Sequence, residues 1–271
     1  MLDRNAINIS LKIGTSGYSY EDWLNQFYPP DLPKSQMLSF YCRYFKTVEV
    51  NATYYRIPDK KSFARMAEKT PPGFEFIVKV NQETTHIRKE NDKAVKQLIE
   101  AVKPVEEQGK LSGFLAQFPY SFKNRESNRQ YLLETKNYFG KYPLFVEFRH
   151  NSWFNDALME FLKNSGIGYV NVDQPALPGL LPRQDWVTFD VAYIRFHGRN
   201  EEDWWDGKGS ARYNYEYTEE ELKEWLITIN NILKKTYKTY IFFNNHPNGQ
   251  AVRNARQMME IISQQLNIEL K

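Results

Sequence analysis

The sequence predicts an α/β fold and, within that class, a (β/α)₈ barrel of the TIM type. Eight short runs of apolar, β-branched or aromatic residues recur along 271 residues, with stretches of helical periodicity between them. The runs are spaced about thirty residues apart, which is the length of a βαβ unit. No composition break or low-complexity linker divides the chain. We therefore expect one domain over residues 1–271, as a barrel that need not be regular or complete, with a doubly wound sheet as the alternative.

The eight runs are the predicted strands. Strands that are joined by helices run parallel with right-handed crossovers, and eight such units match a closed barrel better than an open sheet. The predicted strands cover residues 11–14, 47–50, 74–80, 111–118, 144–148, 167–172, 191–197 and 239–244.

The intervals between the strands carry helix signals. Apolar stripes mark residues 37–45 and 131–139, and the second stripe stops at Gly140. Thr218 followed three residues later by Glu221 predicts a capping box, and the helix after it has an apolar face that ends at Leu233. Alternation of strand and helix is therefore expected throughout. The longest connection without a helix, residues 198–217, is typical of a functional loop.

Composition favours a soluble, cytoplasmic globular protein. The chain is 41% hydrophobic and 25% charged, and no apolar run approaches the roughly 20 residues of a membrane span. Residues 1–10 lack the apolar stretch of a secretory signal. Cys42 is the only cysteine, which excludes an internal disulfide and indicates a buried thiol. The net charge of +3 is small and scattered, so composition gives no footprint of a nucleic-acid binder.

Polar residues follow the predicted strands, where a barrel carries its chemistry. Because side chains alternate along a strand, the polar residues two apart share a face, which we expect to point inward or toward the mouth. The pairs are Glu49 and Asn51, Glu147 and Arg149, Asn171 and Asp173, and Arg195 and His197. All four histidines, His86, His150, His197 and His246, fall at or just beyond these ends. Each residue alone could be solvated or ion-paired, but the ensemble predicts one site.

The charges expected at this mouth balance. The carboxylates Glu49, Glu147 and Asp173 are offset by the cations Lys79, Arg149 and Arg195. Balance favours a small anionic or polar organic substrate, because cations clamp phosphate or carboxylate while a carboxylate or imidazole moves protons. A divalent metal usually needs surplus carboxylate, and no HxH or HExxH spacing is present. We predict no cofactor, and a metal remains an alternative with ligands from His86, His197, His246, Glu49, Glu147 and Asp173.

Two loops after strands add to the predicted site. Gly14-Thr15-Ser16-Gly17 can turn backbone N–H groups toward a phosphate, and a tight turn is the alternative. Residues 245–249 precede a helix after strand eight, near where barrels often hold phosphate. In the loop of residues 198–217, Trp204, Trp205 and Tyr213 stand among Arg199, Lys208 and Arg212. This mixture suits stacking of a base or sugar beside a phosphate, and a lid that packs its own rings is the alternative.

At these residues the chain resembles the YecE-like family, also called domain of unknown function 72. The resemblance covers nearly everything from strand one to the last helix, and together its motifs are highly specific. They are Gly14-Thr15-Ser16-Gly17-Tyr18, Trp23, Phe27-Tyr28-Pro29, Val48-Glu49-Val50-Asn51, Thr53, Tyr54-Tyr55, Val78-Lys79, Thr85-His86, Gln117-Phe118-Pro119, Val146-Glu147-Phe148-Arg149-His150, Ser152-Trp153, Tyr193, Arg195, His197-Gly198-Arg199 and Phe243-Asn244-Asn245. The resemblance implies a TIM-like barrel, similar to xylose-isomerase and endonuclease barrels, without a settled activity. His246 departs from the family pattern.

The leading hypothesis is an acid–base enzyme that acts on a phosphorylated or nucleotide-like substrate. A hydrolase is favoured over a lyase or an isomerase. Lys79, Arg149 and Arg195 would hold the anion, Glu49 or Glu147 would be base or acid with Asp173 beside them, and His197 would be the proton partner. Further substrate contacts are expected from Asn51, His86, Gln117, Asn171, Asn244, Thr15, Ser16, Trp204 and Tyr213. The alternatives are a module that binds single-stranded nucleic acid or a nucleotide without turnover, and a metal-dependent phosphodiester hydrolase.

Overall fold

Eight parallel strands form a barrel in the computed structural model, which describes residues 10–207 and 209–268. Consecutive strands pair from β2 to β8, and β1 pairs with β8, which gives the order β1-β8-β7-β6-β5-β4-β3-β2. The predicted barrel is therefore confirmed, because a doubly wound sheet would reverse its strand order at a switch point. The strands are β1 (Ser10–Thr15), β2 (Thr47–Val50), β3 (Glu75–Lys79), β4 (Leu111–Gln117), β5 (Leu144–Glu147), β6 (Gly168–Asp173), β7 (Val191–Phe196) and β8 (Lys238–Phe243).

The helices pack around the strands. They are α1 (Met37–Tyr41), α2 (Lys60–Glu68), α3 (Asn91–Glu107), α4 (Glu126–Phe139), α5 (Asp156–Asn164), α6 (Glu219–Lys223), α7 (Leu226–Leu233) and α8 (Gln250–Leu266). Thr218 and Glu221 form both hydrogen bonds of the predicted capping box, and the helix they begin is divided into α6 and α7. Within residues 10–207 and 209–268, we find no helix with the length and apolar character needed to cross a membrane.

The crossover between β6 and β7 has no helix, so the prediction of unbroken alternation is wrong at this one place. Residues 174–190 contain three prolines, which lack an N–H and end helices. The side chain of Asn171 holds this segment by both its amide groups. It donates to the carbonyl oxygen of Trp186 at 2.9 Å and accepts from the N–H of Trp186 at 3.0 Å.

The core has two parts, one inside the barrel and one between the strands and the helices. The inner part is a plug of apolar and aromatic side chains that fills the middle of the barrel. Its buried members are Ile77, Leu115, Phe145, Val170, Val172, Val191, Tyr193, Tyr240 and Phe242. Because the plug closes the middle, polar groups at the C-terminal ends of the strands form a floor rather than the wall of a channel.

The barrel has one incomplete seam, between β1 and β2. The two strands share only an isolated bridge at Ser16 and Glu49 among the residues that the structure covers. Below that bridge the hydroxyl of Tyr41 takes the place of strand pairing. It accepts from the N–H of Thr15 at 3.0 Å and donates to the carbonyl oxygen of Thr47 at 3.1 Å. Gly14 is required here, since an added Cβ would lie 2.4 Å from the Thr47 oxygen.

Removing the Tyr41 hydroxyl should destabilise the protein. In Tyr41→Phe the buried N–H of Thr15 loses its partner, and we expect the free energy of unfolding to fall by about 1–3 kcal/mol. Urea unfolding followed by circular dichroism measures this, with Tyr44→Phe as the matched control because that side chain is exposed. Equal stability of the two variants would contradict a bonded seam.

Candidate functional site

A cavity of about 670 Å³ opens at the C-terminal ends of the strands. Its volume is in the range of small-molecule sites. Side chains from most of the loops that follow the strands contribute to its wall. The lining residues are Tyr20, Asn51, Tyr54, Tyr55, Lys79, His86, Gln117, Pro119, Tyr120, Arg149, Leu180, Trp204, Trp205, Gly209, Ser210, Arg212, Tyr213, Asn244 and His246.

The charge of this lining is positive. Lys79, Arg149 and Arg212 are its charged side chains, and no aspartate or glutamate belongs to the wall as the structure describes it. The remaining polar groups are amides, imidazoles and tyrosine hydroxyls. A cavity with cations and without carboxylates attracts an anionic ligand.

Lys79 ends β3, and its amine lies on the cavity wall. Nζ donates to Oε1 of Gln117 at 3.1 Å and lies 4.8 Å from the ring centre of Tyr54. Burial, followed by the positive charge of Arg195, lowers the pKa of Lys79 to about 8. The amine is therefore easier to deprotonate than an ordinary lysine.

Arg149 joins the cavity to the layer beneath it. Nη2 lies 2.8 Å from Oε1 of Glu147, and the guanidinium packs 5.6 Å from the ring centre of Trp204. Trp204 is 2% exposed, whereas its neighbour Trp205 is 45% exposed. The predicted aromatic loop thus packs one ring into the protein and leaves the other at the cavity rim. Lys208 of this loop lies outside the described residues.

Arg195 lies beneath the cavity floor and joins two glutamates. Nη1 donates to Glu147 at 2.6 Å and Nη2 donates to Glu49 at 2.7 Å. Both glutamates are fully buried, and Tyr193 donates its hydroxyl to the second oxygen of Glu49. Arg195 was predicted to clamp the substrate, but its side chain is 1% exposed and its two terminal nitrogens already bind these carboxylates. Arg195 therefore influences the cavity wall indirectly, because Glu147, which it binds, also binds Arg149.

Glu147 and His197 form the other side of this buried layer. Burial opposes ionisation of Glu147, but Arg149, Arg195 and His197 together hold its pKa well below the usual value. Nε2 of His197 lies 3.2 Å from Glu147, and Nδ1 lies 3.2 Å from the amide nitrogen of Asn244. Burial and the charge of Arg149 lower the pKa of His197 to about 3, so the imidazole is neutral. Neither group faces the cavity.

Two other histidines line the cavity. His86 packs edge-on against Tyr54, and burial followed by the charge of Lys79 lowers its pKa to about 4. His246 stacks on Tyr20 with ring centres 4.5 Å apart. The fourth histidine, His150, accepts from the N–H of Ser152 and is not part of the cavity wall. His246 therefore lines the cavity.

Asn171 and Asp173 do not face the mouth, and the prediction that they do is wrong by one position along β6. The inward residues are Val170 and Val172, which belong to the inner plug. Asp173 points to the helical layer, where it accepts from Trp225 at 2.7 Å. It also accepts from the hydroxyl of Tyr217 and from Arg199. These residues stabilise the fold beside the barrel.

The glycine loop after β1 offers no free N–H groups to a phosphate. The N–H of Thr15 donates to Tyr41, that of Ser16 to the carbonyl oxygen of Phe243, and that of Gly17 to the carbonyl oxygen of Glu49. Thr15 faces outward, and the hydroxyl of Ser16 accepts from Arg195 at 3.3 Å. In the segment before α8, the N–H of Asn248 donates to Asp22 at 2.7 Å. For Gly14-Thr15-Ser16-Gly17, the alternative of a tight turn therefore describes the structure better than a phosphate-binding loop.

A metal site is an alternative that the sequence leaves open. Among residues 10–207 and 209–268, no three histidine, cysteine, aspartate or glutamate side chains are grouped as a metal site. Of the six ligands considered from sequence, Asp173 lies outside the barrel and the two glutamates share Arg195.

Sequence reasoning assigned eight of the lining residues to the site: Asn51, Lys79, His86, Gln117, Arg149, Trp204, Tyr213 and Asn244. It named Arg212 and Trp205 only as members of the loop of residues 198–217 and His246 only as a possible metal ligand, and it did not assign them or several loop aromatics to substrate binding. Tyr20, Tyr54, Tyr55, Tyr120 and Trp205 all follow strand ends within their loops. Their position directly after strands was the signal that could have identified them.

Comparisons with known proteins agree with this architecture. The family described as "protein of unknown function DUF72" matches residues 12–270. The "UPF0759 protein YunF" of Bacillus subtilis is 31% identical over 267 residues, covering 92% of this chain and 94% of that protein. A DUF72 family protein from Thermotoga maritima superposes with a TM-score of 0.88 at 42% identity, over 94% of this chain and 99% of the other. One from Enterococcus faecalis gives 0.84 at 26%, over 96% and 97%.

Proposed function

The chain belongs to the DUF72 family, as its sequence motifs indicate, and we propose that its cavity is an active site for a phosphorylated or nucleotide-like substrate. One observation carries the proposal. The described wall presents Lys79, Arg149 and Arg212 without a carboxylate, and aromatic rings surround them. Cations bind the phosphate in this proposal, and the rings stack on a base or sugar.

The buried glutamates take a different role from the one expected from sequence. Glu49 and Glu147 are both bound by Arg195, and neither lines the cavity. In our proposal they are positioning residues that fix Arg149 and Arg195 rather than the base or acid. Burial lowers the pKa of Lys79 on the wall to about 8, which supports it as the acid–base residue.

Binding without turnover to single-stranded nucleic acid is the second candidate. Tyr55 is 76% exposed and Trp205 is 45% exposed, and both lie at the rim of the cavity. Exposed rings beside a positive cavity suit stacking of successive bases. In this candidate one terminal nucleotide occupies the cavity and the next stacks on the rim.

Loss of Arg212 should weaken binding of phosphorylated compounds. We expect Arg212→Gln to reduce affinity for adenosine monophosphate and ribose 5-phosphate by about 10- to 100-fold, the value of one charge-assisted hydrogen bond. The side chain is half-buried at the wall, so stability should change little. Isothermal titration calorimetry measures the affinities, with unphosphorylated adenosine in the same panel.

The matched control is Arg65→Gln, because Arg65 is exposed on α2 and is not a lining residue of the cavity. Equal affinities in the Arg212 and Arg65 variants would overturn the proposed anion site. A short oligothymidylate extends the panel. If it binds far more tightly than the mononucleotide, with steep salt dependence, the second candidate is favoured.

A further inference from the structure

We propose that Lys79 is a nucleophile that forms an imine with a carbonyl group of the phosphorylated substrate. This inference rests on the proposed function for the anion but adds the chemical class of the reacting group. It places the enzyme among those that make or break bonds next to a carbonyl carbon.

The first support is the position of the amine. Lys79 reaches the cavity wall from the end of β3, while its stem lies in the barrel mouth. Its Nζ makes one side-chain hydrogen bond, to the neutral amide of Gln117. No carboxylate within the described residues lies within 4.0 Å of it, whereas Arg149 and Arg195 both contact Glu147. Among the described residues, Lys79 therefore has no direct ion pair with a carboxylate.

The second support is the charge around the amine. Burial is the largest influence and disfavours protonation of the amine, as do Arg195 and Arg149, whereas Glu49 and Glu147 favour it. The groups that pack beside it on the wall are the ring of Tyr54 and the amide of Gln117. Because the pKa of Lys79 is lowered to about 8, about half of the Lys79 amines are uncharged at pH 8. An uncharged amine is the form that attacks carbonyl carbon.

The chemistry balances with groups that the cavity contains. The nitrogen lone pair of Lys79 attacks the carbonyl carbon and a C–N bond forms, while the C=O π pair moves to oxygen and takes a proton. The nitrogen loses a proton to give the neutral carbinolamine. A second proton, delivered to the carbinolamine hydroxyl, lets water leave and gives the protonated imine. No oxidant or reductant is needed. The neutral imidazole of His86 lines the same cavity and is suited to carry these protons.

Pyridoxal 5′-phosphate is a suitable probe, because it combines an aldehyde with a phosphate. The native protein is treated with it, reduced with sodium borohydride, digested and analysed by mass spectrometry. We expect one dominant pyridoxyl adduct, on Lys79, and a labelling rate that rises through about pH 8. Lys79→Arg and Lys79→Met should both abolish this adduct. Lys163→Arg, at an exposed lysine of α5, should leave it intact. Labelling spread evenly over surface lysines would overturn the inference.

Two further arms separate this inference from the proposed anion site. Pyridoxal without its phosphate tests the amine alone, and Arg212→Gln tests the phosphate contact alone. If pyridoxal 5′-phosphate binds in calorimetry and reduction leaves Lys79 unmodified, the anion site stands and the imine is refuted. If both aldehydes label Lys79 equally in native protein and in Arg212→Gln, the reactive amine stands and the anion site fails.

Discussion

Replacing Arg195 with methionine is expected to lower the free energy of unfolding by about 3–5 kcal/mol. The guanidinium is buried and lies between two buried carboxylates, at 2.6 Å from Glu147 and 2.7 Å from Glu49. Its removal leaves Glu49 without a cation at hydrogen-bond distance in the part of the chain that the structure describes. A buried charge without a partner costs far more than a packed apolar group. Urea unfolding of the parent protein and of Arg195→Met measures the difference in the free energy of unfolding.

The control is Arg253→Met, since Arg253 binds Glu216 at 2.6 Å on the surface and not in the interior. An exposed ion pair contributes at most about 1 kcal/mol, so this variant should remain close to the parent. Adding Glu49→Gln to Arg195→Met should recover part of the loss, because Glu49 then carries no charge that lacks a cation, whereas Glu147 still binds Arg149. If the Arg195 and Arg253 variants are equally stable, the buried network does not hold the barrel mouth.

The architecture was predictable because it depends on periodicity. The eight apolar runs each became a strand, and the order of the strands followed from their alternation with helices. The exception is the missing helix between β6 and β7, and the sequence contains a signal for it. Pro175, Pro178 and Pro182 interrupt that interval and oppose a helix there, whereas the regular pattern elsewhere favours one. A repeat that holds seven times favoured an eighth helix that the residues could not form.

The facing of the site residues was predictable only in part. Alternation correctly paired Glu147 with Arg149 and Glu49 with Asn51 on one face. On β6 the same rule started from the wrong residue, because apolar neighbours on both sides of Asn171 give no direction. Val170 and Val172 fill the barrel interior, and Tyr169 packs outward. A strand that is buried on both faces does not reveal which face is inner.

The depth of each residue along the barrel axis was not predictable. Arg149 and Asn51 line the cavity, but Glu147 and Glu49, two residues earlier on the same strands, lie one layer below. Residues of the upper layer can touch a ligand, whereas residues of the layer below hold the upper ones in position. The layer difference depends on the stagger of neighbouring strands, a three-dimensional property that no single strand encodes.

The protein should lose stability as the pH falls from about 6.5 toward 3, largely through His197. In the unfolded chain this imidazole is protonated below 6.5, whereas in the folded protein burial and Arg149 keep it neutral down to about 3. The unfolded state therefore binds more protons throughout that window, and stability falls with pH. For this one histidine the loss is on the order of 5 kcal/mol. Glu147 acts in the same direction below its ordinary pKa, because its folded form remains ionised.

His197→Gln removes the titrating ring but retains an amide that can donate to Glu147 and accept from Asn244. Urea unfolding at a series of pH values should therefore show a shallower loss of stability for this variant than for the parent. His150→Gln is the matched control, since His150 is partly exposed and contacts neither glutamate of the buried layer. A parent protein that is equally stable at pH 4 and pH 7 would contradict a buried neutral histidine. So would an unchanged slope in His197→Gln, because the slope arises from the proton that the folded state excludes from this ring.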